Sequence, residues 1–259
     1  MRLHNILGVR ARRLILAAGV VFLATSAVVV LRAGQQPAPA QGRSVWDGAY
    51  TDGQADRGQV AYGSNCAECH GGNLAGGEGK PLTGDVFWND WRETTVDYLL
   101  RQISQNMPAS EDGSLAGSLN PNTYADIVAH ILRTNGFPAG SSELSAESAK
   151  GVAIIRKEGP GPLPEGTLVQ VVGCLEAGEG RNAWRITRAA RPARMMGRET
   201  GVDPATVALG EQAFDLKFVV TSLQRFAGHR MAVTGLLIGE GGVGGLNVSQ
   251  TRSIADTCQ

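Results

Sequence analysis

The chain has 259 residues, enough for one or two domains, with four cysteines and a formal net charge of zero. The charge is unevenly spread, since residues 43–150 carry seven Lys/Arg against fourteen Asp/Glu, whereas residues 151–259 carry twelve against ten. No long basic patch occurs in the sequence, which argues against nucleic acid as a partner. An acidic region instead favours basic protein partners.

The N-terminal segment has the features of a targeting sequence. Four arginines within the first thirteen residues precede an uncharged run over residues 14–31. A basic stretch followed by an apolar run is typical of export, and these 18 residues are just enough to span a bilayer. Two interpretations stay open for residues 1–33: a signal peptide, cut near Ala38-Pro39-Ala40, or an uncleaved membrane anchor. Both predict a periplasmic location for the rest of the chain.

A helical region is predicted after this segment. Residues 34–45 are rich in Pro, Ala and Gln and show no apolar period, which predicts a linker. Apolar residues at helical spacing then predict helices over residues 52–65, 94–106 and 122–135. Residues 46–140 are thus expected to form an all-helical domain with long loops.

The first helix leads into Cys66-Ala67-Glu68-Cys69-His70, the C-x-x-C-H pattern that attaches a c-type haem. Two intervening residues set the thiols about one helical turn apart, which matches the spacing of the haem vinyl groups. His70 follows directly, so its imidazole can ligate the iron. A thioredoxin-type redox pair would need a βαβ context, and a structural zinc site would need four ligands. Neither context surrounds this stretch, and one covalent haem c is predicted.

A glycine-rich loop follows over residues 71–84, with six glycines in fourteen positions. The phosphate-binding pattern G-x-x-x-x-G-K-[ST] does not occur in it. A loop that wraps the edge of a flat haem explains these glycines better than a nucleotide site does.

A haem that only carries electrons needs a second strong axial ligand besides His70. Within residues 43–150, only Met107 and His130 offer a thioether or a further imidazole. Met107 precedes Pro108 in a loop, where it can turn toward the ring, and it is the predicted ligand. His130 lies beside the apolar face of the last helix, where packing is the favoured interpretation. His/Met ligation raises the reduction potential.

The motifs CAECHG, GKPLTG, NMPAS and YADIVAHILRTNGFPAG together point to a family. Through them, residues 46–140 resemble class I, monohaem cytochrome c domains, and are most similar to those found beside bacterial quinoprotein dehydrogenases and oxidases. The resemblance implies redox protein partners, with a quinoprotein dehydrogenase as electron donor and a terminal oxidase as acceptor.

The same resemblance implies roles for further residues around the haem. Pro81 would present its carbonyl to a ring nitrogen of His70 and fix the tautomer. Leu82 would touch the haem ring. One of two tryptophans, Trp88 or Trp91, would reach a haem propionate, with core packing as an equal alternative.

The C-terminal half changes from helical to strand patterning. Residues 141–164 are predicted to be a connector that ends in a stiff Gly/Pro stretch. Strands are predicted over residues 167–175, 183–187, 214–220, 231–238 and 246–254. Through VQVVGCLE, the Trp184 strand, GHRMAVTGLLI and SIADTC, residues 165–259 resemble small OB-like β-barrel domains of secreted bacterial proteins. The predicted fold is therefore multidomain, an all-α cytochrome c domain followed by a small all-β barrel.

Two further features of the C-terminal half concern pairing and docking. Cys174 and Cys258 are expected to form a disulfide in an oxidising compartment, and a pair of metal or redox thiols is the alternative. Six arginines between residues 181 and 198 form either a solvated surface or a surface that docks onto an acidic partner or onto the acidic half of this chain.

The predicted function is an exported electron carrier without catalytic residues, not an enzyme. Two alternatives stay open: a haem-based sensor or peroxidase-like protein with a displaceable sixth ligand, and a partner-binding protein that acts through the barrel. The sequence offers no distal His or Arg catalytic pair near Met107, which disfavours the peroxidase-like alternative.

Overall fold

The computed structural model describes residues 42–200, 202–239 and 244–259. The predicted signal peptide or anchor over residues 1–33 lies outside these ranges, as does most of the predicted linker over residues 34–45. Among the helices that these ranges contain, none is long and apolar enough to cross a membrane.

Five α-helices lie in the first half of the described chain. They are α1 (Asp52–Asn65), α2 (Ala67–His70), α3 (Gly84–Trp91), α4 (Val96–Asn106) and α5 (Pro121–Thr134). The three longer helices α1, α4 and α5 agree with the prediction to within two residues at each end. They begin where a capping side chain accepts a hydrogen bond from a backbone N–H of the first turn. The capping residues are Thr51, Thr95 and Asn120.

Helix α3 is absent from the sequence prediction. It spans only eight residues, and no side-chain hydrogen bond caps its N-terminus. Thr83 stands at the N-cap position without making that bond, and eight residues are too few to show a clear apolar period in the sequence.

Helices α1 and α5 cross at close range and form the framework of this half. A Cβ atom added to Gly58 of α1 would lie 1.8 Å from the Asp126 carbonyl oxygen of α5, so only glycine permits the approach. The Arg57 guanidinium pairs with the Asp126 carboxylate at 3.1 Å beside the crossing. Helix α1 is thereby fixed just before it runs into the C-x-x-C-H stretch.

Residues beyond α5 complete the core of the helical half. Four apolar residues of the predicted connector are at most 3% exposed and belong to the same buried cluster as the helices: Leu144, Ala149, Val152 and Ile154. The buried Gln54 side-chain amide donates to the Leu144 carbonyl at 2.8 Å and accepts from the Leu144 N–H at 2.7 Å. The connector is therefore packed against the helices rather than free of them.

The connector also supplies a strand to the helical half. Strand β1 (Thr94–Thr95) precedes α4 and pairs antiparallel with β2 (Ala153–Ile154). The indole N–H of Trp46 donates to the Ile155 carbonyl at 2.8 Å next to this pair. This small sheet closes the helical half on the side where α3 ends.

The second half is a six-stranded mixed sheet in the order β4-β6-β8-β7-β3-β5, with β3 also paired to β4. Its strands are β3 (Leu168–Ala177), β4 (Trp184–Ala189), β5 (Ala193–Arg194), β6 (Gln212–Lys217), β7 (Arg230–Ile238) and β8 (Gly245–Ala255). All neighbours are antiparallel except β6 and β8, which run parallel. The five predicted strands correspond to the five longer strands of this sheet.

The disulfide between Cys174 and Cys258 is formed. Cys174 lies in β3, and Cys258 follows β8, 84 residues later in the chain. The Arg188 guanidinium donates to the Cys258 carbonyl at 3.0 Å and holds the same C-terminal end. The expected pairing is therefore present, and the alternative of metal or redox thiols at these positions is wrong.

The predicted fold class, an all-α domain followed by an OB-like β-barrel, is wrong. The first half contains short helices and the β1–β2 pair, because the connector returns to the helices and adds a strand. The second half is one six-stranded sheet in which β3 pairs with β7, with β5 and with β4. The periodicity located the strands, but it could not determine how they are ordered.

Two arginines of the second half contact the end of α3. The Arg194 guanidinium donates to the backbone carbonyls of Asp90 and Asn89 at 2.9 and 2.8 Å. Arg191 forms a bidentate ion pair with the Glu93 carboxylate. Docking onto the acidic half of the chain is thus confirmed for these two arginines.

Two other arginines of the basic cluster contact the sheet half instead. Arg185 pairs with Asp215 of β6 at 2.9 Å, and Arg188 binds the chain end as described above. These two arginines therefore stabilise the sheet half itself.

Candidate functional site

The two thiols and His70 lie on one tight turn after α1. The Cys66 N–H donates to the Tyr62 carbonyl at 2.8 Å, and the His70 N–H donates to the Cys66 carbonyl at 2.9 Å. Cys66 is half-buried, Cys69 is exposed, and neither is in a disulfide. The turn therefore presents both thiols and the imidazole next to one another, as the sequence spacing predicts.

The glycine-rich loop packs directly on this turn. The Gly76 N–H donates to the His70 carbonyl at 2.9 Å, and the Gly79 N–H donates to the Cys69 carbonyl at 2.8 Å. A Cβ atom added to Gly79 would lie 2.9 Å from the Nδ1 and Cε1 atoms of the His70 ring. The loop lies against one side of the imidazole, and the glycine at position 79 is what allows that contact.

A backbone carbonyl orients the His70 ring. The Lys80 carbonyl oxygen lies 2.8 Å from His70 Nδ1, which favours the tautomer with the proton on Nδ1 and leaves Nε2 free to bind a metal. The resemblance had suggested the Pro81 carbonyl for this contact, and the structure places the neighbouring residue there. The Pro81 ring instead packs on Gly76, where an added Cβ atom would lie 2.9 Å from Pro81 Cδ.

Some apolar side chains of the helical half are only partly buried. They pack on the core cluster of the helical half and include Cys66, Ala67, Leu82, Trp88, Trp91, Ile103 and Leu119. A large, flat, apolar ring would cover such a set and gain hydrophobic burial from it. Together with two unbridged thiols and an oriented imidazole, this donor set fits a covalently attached haem.

Trp88 and Trp91 each pack against neighbouring side chains. The Trp88 ring packs edge-on against Phe137, with centroids 5.6 Å apart, and the Arg156 guanidinium lies 4.8 Å from the Trp88 ring centroid. Trp91 packs against Tyr98 at 6.2 Å. These contacts support the packing interpretation, and the propionate contact stays a prediction.

The backbone of Met107 is fixed on both sides. Its N–H donates to the Ile103 carbonyl at 2.9 Å, and its carbonyl accepts from the Tyr124 hydroxyl at 2.6 Å and the Gly117 N–H at 3.2 Å. Its side chain is half-buried. The helical pattern of residues 122–135 gives no sign that the Tyr124 hydroxyl ties this loop to α5.

His130 lies in the contact between α1 and α5. It is 7% exposed, and its ring centroid lies 5.4 Å from that of Tyr62. Burial, and secondly the charge of Arg133, lower its pKa. Among the described residues its Nδ1 atom has no hydrogen-bond partner. This position favours packing over ligation.

Burial also affects the thiol that lies deeper in the turn. It raises the pKa of Cys66 to about 11, and the neighbouring Cys69 adds to the shift. Burial and the nearby Cys66 raise the pKa of Tyr62 to about 12, and the Tyr62 hydroxyl donates to the Gly71 carbonyl at 2.8 Å. In the chain without haem, both groups are therefore protonated at neutral pH.

Comparison with known families identifies the helical half. Residues 53–131 match the family described as cytochrome C oxidase, cbb3-type, subunit III. Residues 53–131 are a cytochrome c domain. Similarity to this family implies a covalently bound haem c, which agrees with the donor set above and with a haem-based electron carrier.

A curated relative supports this assignment. The chain is 27% identical over 101 residues to a cbb3-type cytochrome c oxidase subunit FixP of Bradyrhizobium sp. (strain ORS 278). The similarity covers 36% of this chain and 35% of the relative, so the chain spans only about a third of the relative's length. No solved structure matches the chain.

Proposed function

We propose that the chain is an exported c-type cytochrome that carries single electrons through one covalently bound haem between periplasmic redox partners. The observation that carries the proposal is the C-x-x-C-H turn, in which Lys80 orients His70 beside the two unbridged thiols. When bound, the haem supplies a one-electron Fe(III)/Fe(II) couple. Cys66 and Cys69 would hold it through thioether bonds, and His70 Nε2 would ligate its iron.

Met107 is the proposed second axial ligand. The contacts of its backbone with Ile103, Tyr124 and Gly117 fix the loop and so limit the positions that the thioether can reach. A sixth ligand on a fixed loop keeps coordination unchanged between oxidation states, which suits a carrier. Leu82 is the proposed haem contact on the side of the glycine-rich loop.

The partners are proposed from the relatives and from charge. The FixP relative is named as an oxidase subunit, which supports an oxidase as the electron acceptor. A quinoprotein dehydrogenase as donor rests on the resemblance of the sequence motifs. The acidic surface of the helical half would attract a basic partner surface. Residues 14–31 would either direct export or anchor the chain in the inner membrane.

Carbon monoxide binding to the reduced, haem-loaded full chain tests the proposal. We expect no change in the absorption spectrum, because both axial positions are held. Met107→Ala should open the sixth position and bind carbon monoxide, which makes it the positive control. Rapid binding by the unsubstituted chain would reject the carrier and favour the sensor or peroxidase-like alternative.

The haem content of the chain should be measured before carbon monoxide binding. Denatured, extensively washed chain should retain the haem absorption, with one haem per chain, because the thioether bonds survive unfolding. Cys66→Ala and Cys69→Ala should each leave at most one thioether bond. Loss of the haem from the denatured, unsubstituted chain would reject covalent attachment.

A further inference from the structure

The contacts between the sheet half and α3 lie next to the group that orients His70. We propose that Arg194 is a positioning residue for His70, acting through the end of α3 and the ion pair between Asp90 and Lys80. The inference rests on the proposed function, since it concerns how His70 is held when it ligates the haem iron.

The proposed path from Arg194 to His70 begins at the C-terminal end of α3. The last carbonyls of a helix have no partner within the helix. Arg194 supplies two hydrogen bonds there, to Asn89 and Asp90, and it also places a positive charge at the negative end of the helix dipole. The Thr94 hydroxyl donates to the Trp91 carbonyl at 2.7 Å. Arg194 is thus the part of this cap that comes from outside the helical half.

The turn that follows α3 is also fixed from outside. Glu93 adopts a φ angle of 62°, in the left-handed region that side chains other than glycine rarely adopt. Arg191 binds the Glu93 carboxylate, and the Glu93 N–H donates to the Ile154 carbonyl at 2.7 Å. Such a conformation persists only where surrounding contacts hold it. The sheet half and the connector supply those contacts.

The second step joins α3 to the loop on the His70 side. The Lys80 ammonium lies 2.6 Å from the Asp90 carboxylate, and the Lys80 carbonyl lies 2.8 Å from His70 Nδ1. One residue therefore contacts both the end of α3 and the imidazole. Gly79, next to it, lies against the face of the ring. A shift of Asp90 is transmitted to Lys80 and changes the hydrogen bond to His70.

The solvent exposure of the ion pair between Lys80 and Asp90 determines whether its loss should change the stability of the chain or the reduction potential of the haem. The Lys80 side chain is 60% exposed and that of Asp90 is 34% exposed, and an ion pair at such a surface contributes little to stability. The expected effect of this path is therefore on the orientation and basicity of His70, which the reduction potential reports.

The sign of the change separates positioning from simple electrostatics. A firm hydrogen bond from Nδ1–H makes the imidazole a stronger donor to iron, which favours Fe(III). Loosening that bond raises the reduction potential. Removal of a positive charge near the iron favours Fe(III) and therefore lowers the reduction potential.

The experiment measures the reduction potential of the haem-loaded full chain by optical titration. For Arg194→Gln we expect the ratio of Fe(II) to Fe(III) at a fixed potential to rise about threefold, a shift of about 28 mV upward at 59 mV per tenfold change. Arg194→Lys keeps the charge but cannot bind two carbonyls in the same fork geometry, and should shift in the same direction. Arg185→Gln removes a charge from the same sheet without touching α3, and should leave the potential unchanged or lower it.

A double substitution tests the path itself. Lys80→Met removes the ion pair with Asp90, so adding Arg194→Gln to it should change the potential by much less than Arg194→Gln alone does. Additive shifts, or a downward shift for Arg194→Gln equal to that of Arg185→Gln, would overturn the inference. Failure of the unsubstituted chain to hold covalent haem would instead reject the proposed function, and the two failures are therefore distinguishable.

Discussion

The two halves of the chain reach a packed core by different means. In the helical half, helices and connector bury a common cluster, but the side chains around the C-x-x-C-H turn remain only partly covered. In the sheet half, apolar side chains form a buried cluster of their own, and a disulfide links β3 to the chain end. The first half thus relies on close backbone contacts and leaves apolar side chains partly exposed, whereas the second has a covalent link of its own.

The largest expected effect comes from removing the disulfide between Cys174 and Cys258. Cys174→Ser should lower the free energy of unfolding of the sheet half by about 4.5 kcal/mol, because the released loop gains chain entropy in the unfolded state. Urea unfolding followed by far-ultraviolet circular dichroism and by the haem band measures both halves. We expect the sheet signal to be lost at lower urea, with the haem band little changed.

A matched set of variants controls this result. Cys258→Ser should give the same loss, and the double variant should lose no more. If the haem band moves together with the sheet signal, the halves unfold as one unit and the comparison fails.

The helix crossing should be the most sensitive point of the helical half. Gly58→Ala would place a methyl group against the Asp126 carbonyl and should cost about 3 kcal/mol or more. Gly63→Ala lies in the same helix with open space around the added Cβ in the described structure, and should stabilise by about 0.5–1 kcal/mol. Thermal unfolding measures both, and changes of the same sign in the two variants would contradict the close crossing.

A smaller effect is expected where the glycine-rich loop touches the imidazole. Gly79→Ala would push on the His70 ring and should cost about 1–2 kcal/mol while shifting the haem absorption bands. Gly72→Ala is the matched control, because its added Cβ meets no atom of the described structure within 4 Å. Equal spectra for the two variants would show that the loop does not set the ring orientation.

The smallest expected effect is the response of His130 to pH. Its pKa is lowered by burial, so below the usual value of 6.5 the unfolded chain binds a proton that the folded chain does not. The free energy of unfolding should therefore fall as the pH drops below 6.5, by at most about 1.4 kcal/mol per pH unit.

His130→Phe keeps an aromatic ring beside Tyr62 and removes the titrating group. Unfolding at pH 7 and at pH 5.5 should then differ less than in the unsubstituted chain, with the haem spectrum unchanged. An altered haem spectrum would point to His130 as an axial ligand.

The sequence predicted the parts of the molecule that depend on local chemistry. The C-x-x-C-H spacing located the site, the helical period located α1, α4 and α5, and alternation located the longer strands. It missed what depends on distant contacts. The choice of the Lys80 carbonyl over that of Pro81, the return of Ile154 to pair with Thr94, and the order of the sheet strands each arise from residues far apart in the chain or from the geometry of one loop.

The return of the connector to the helices affects the order in which the molecule can form. A chain that emerges from its N-terminus exposes Cys66 long before Val152 and Ile154 are available. Until those residues arrive, the helices lack part of the core that steadies α3 and the turn after it. The core of the helical half is therefore complete only when the connector has folded back onto the helices, and not at the end of α5.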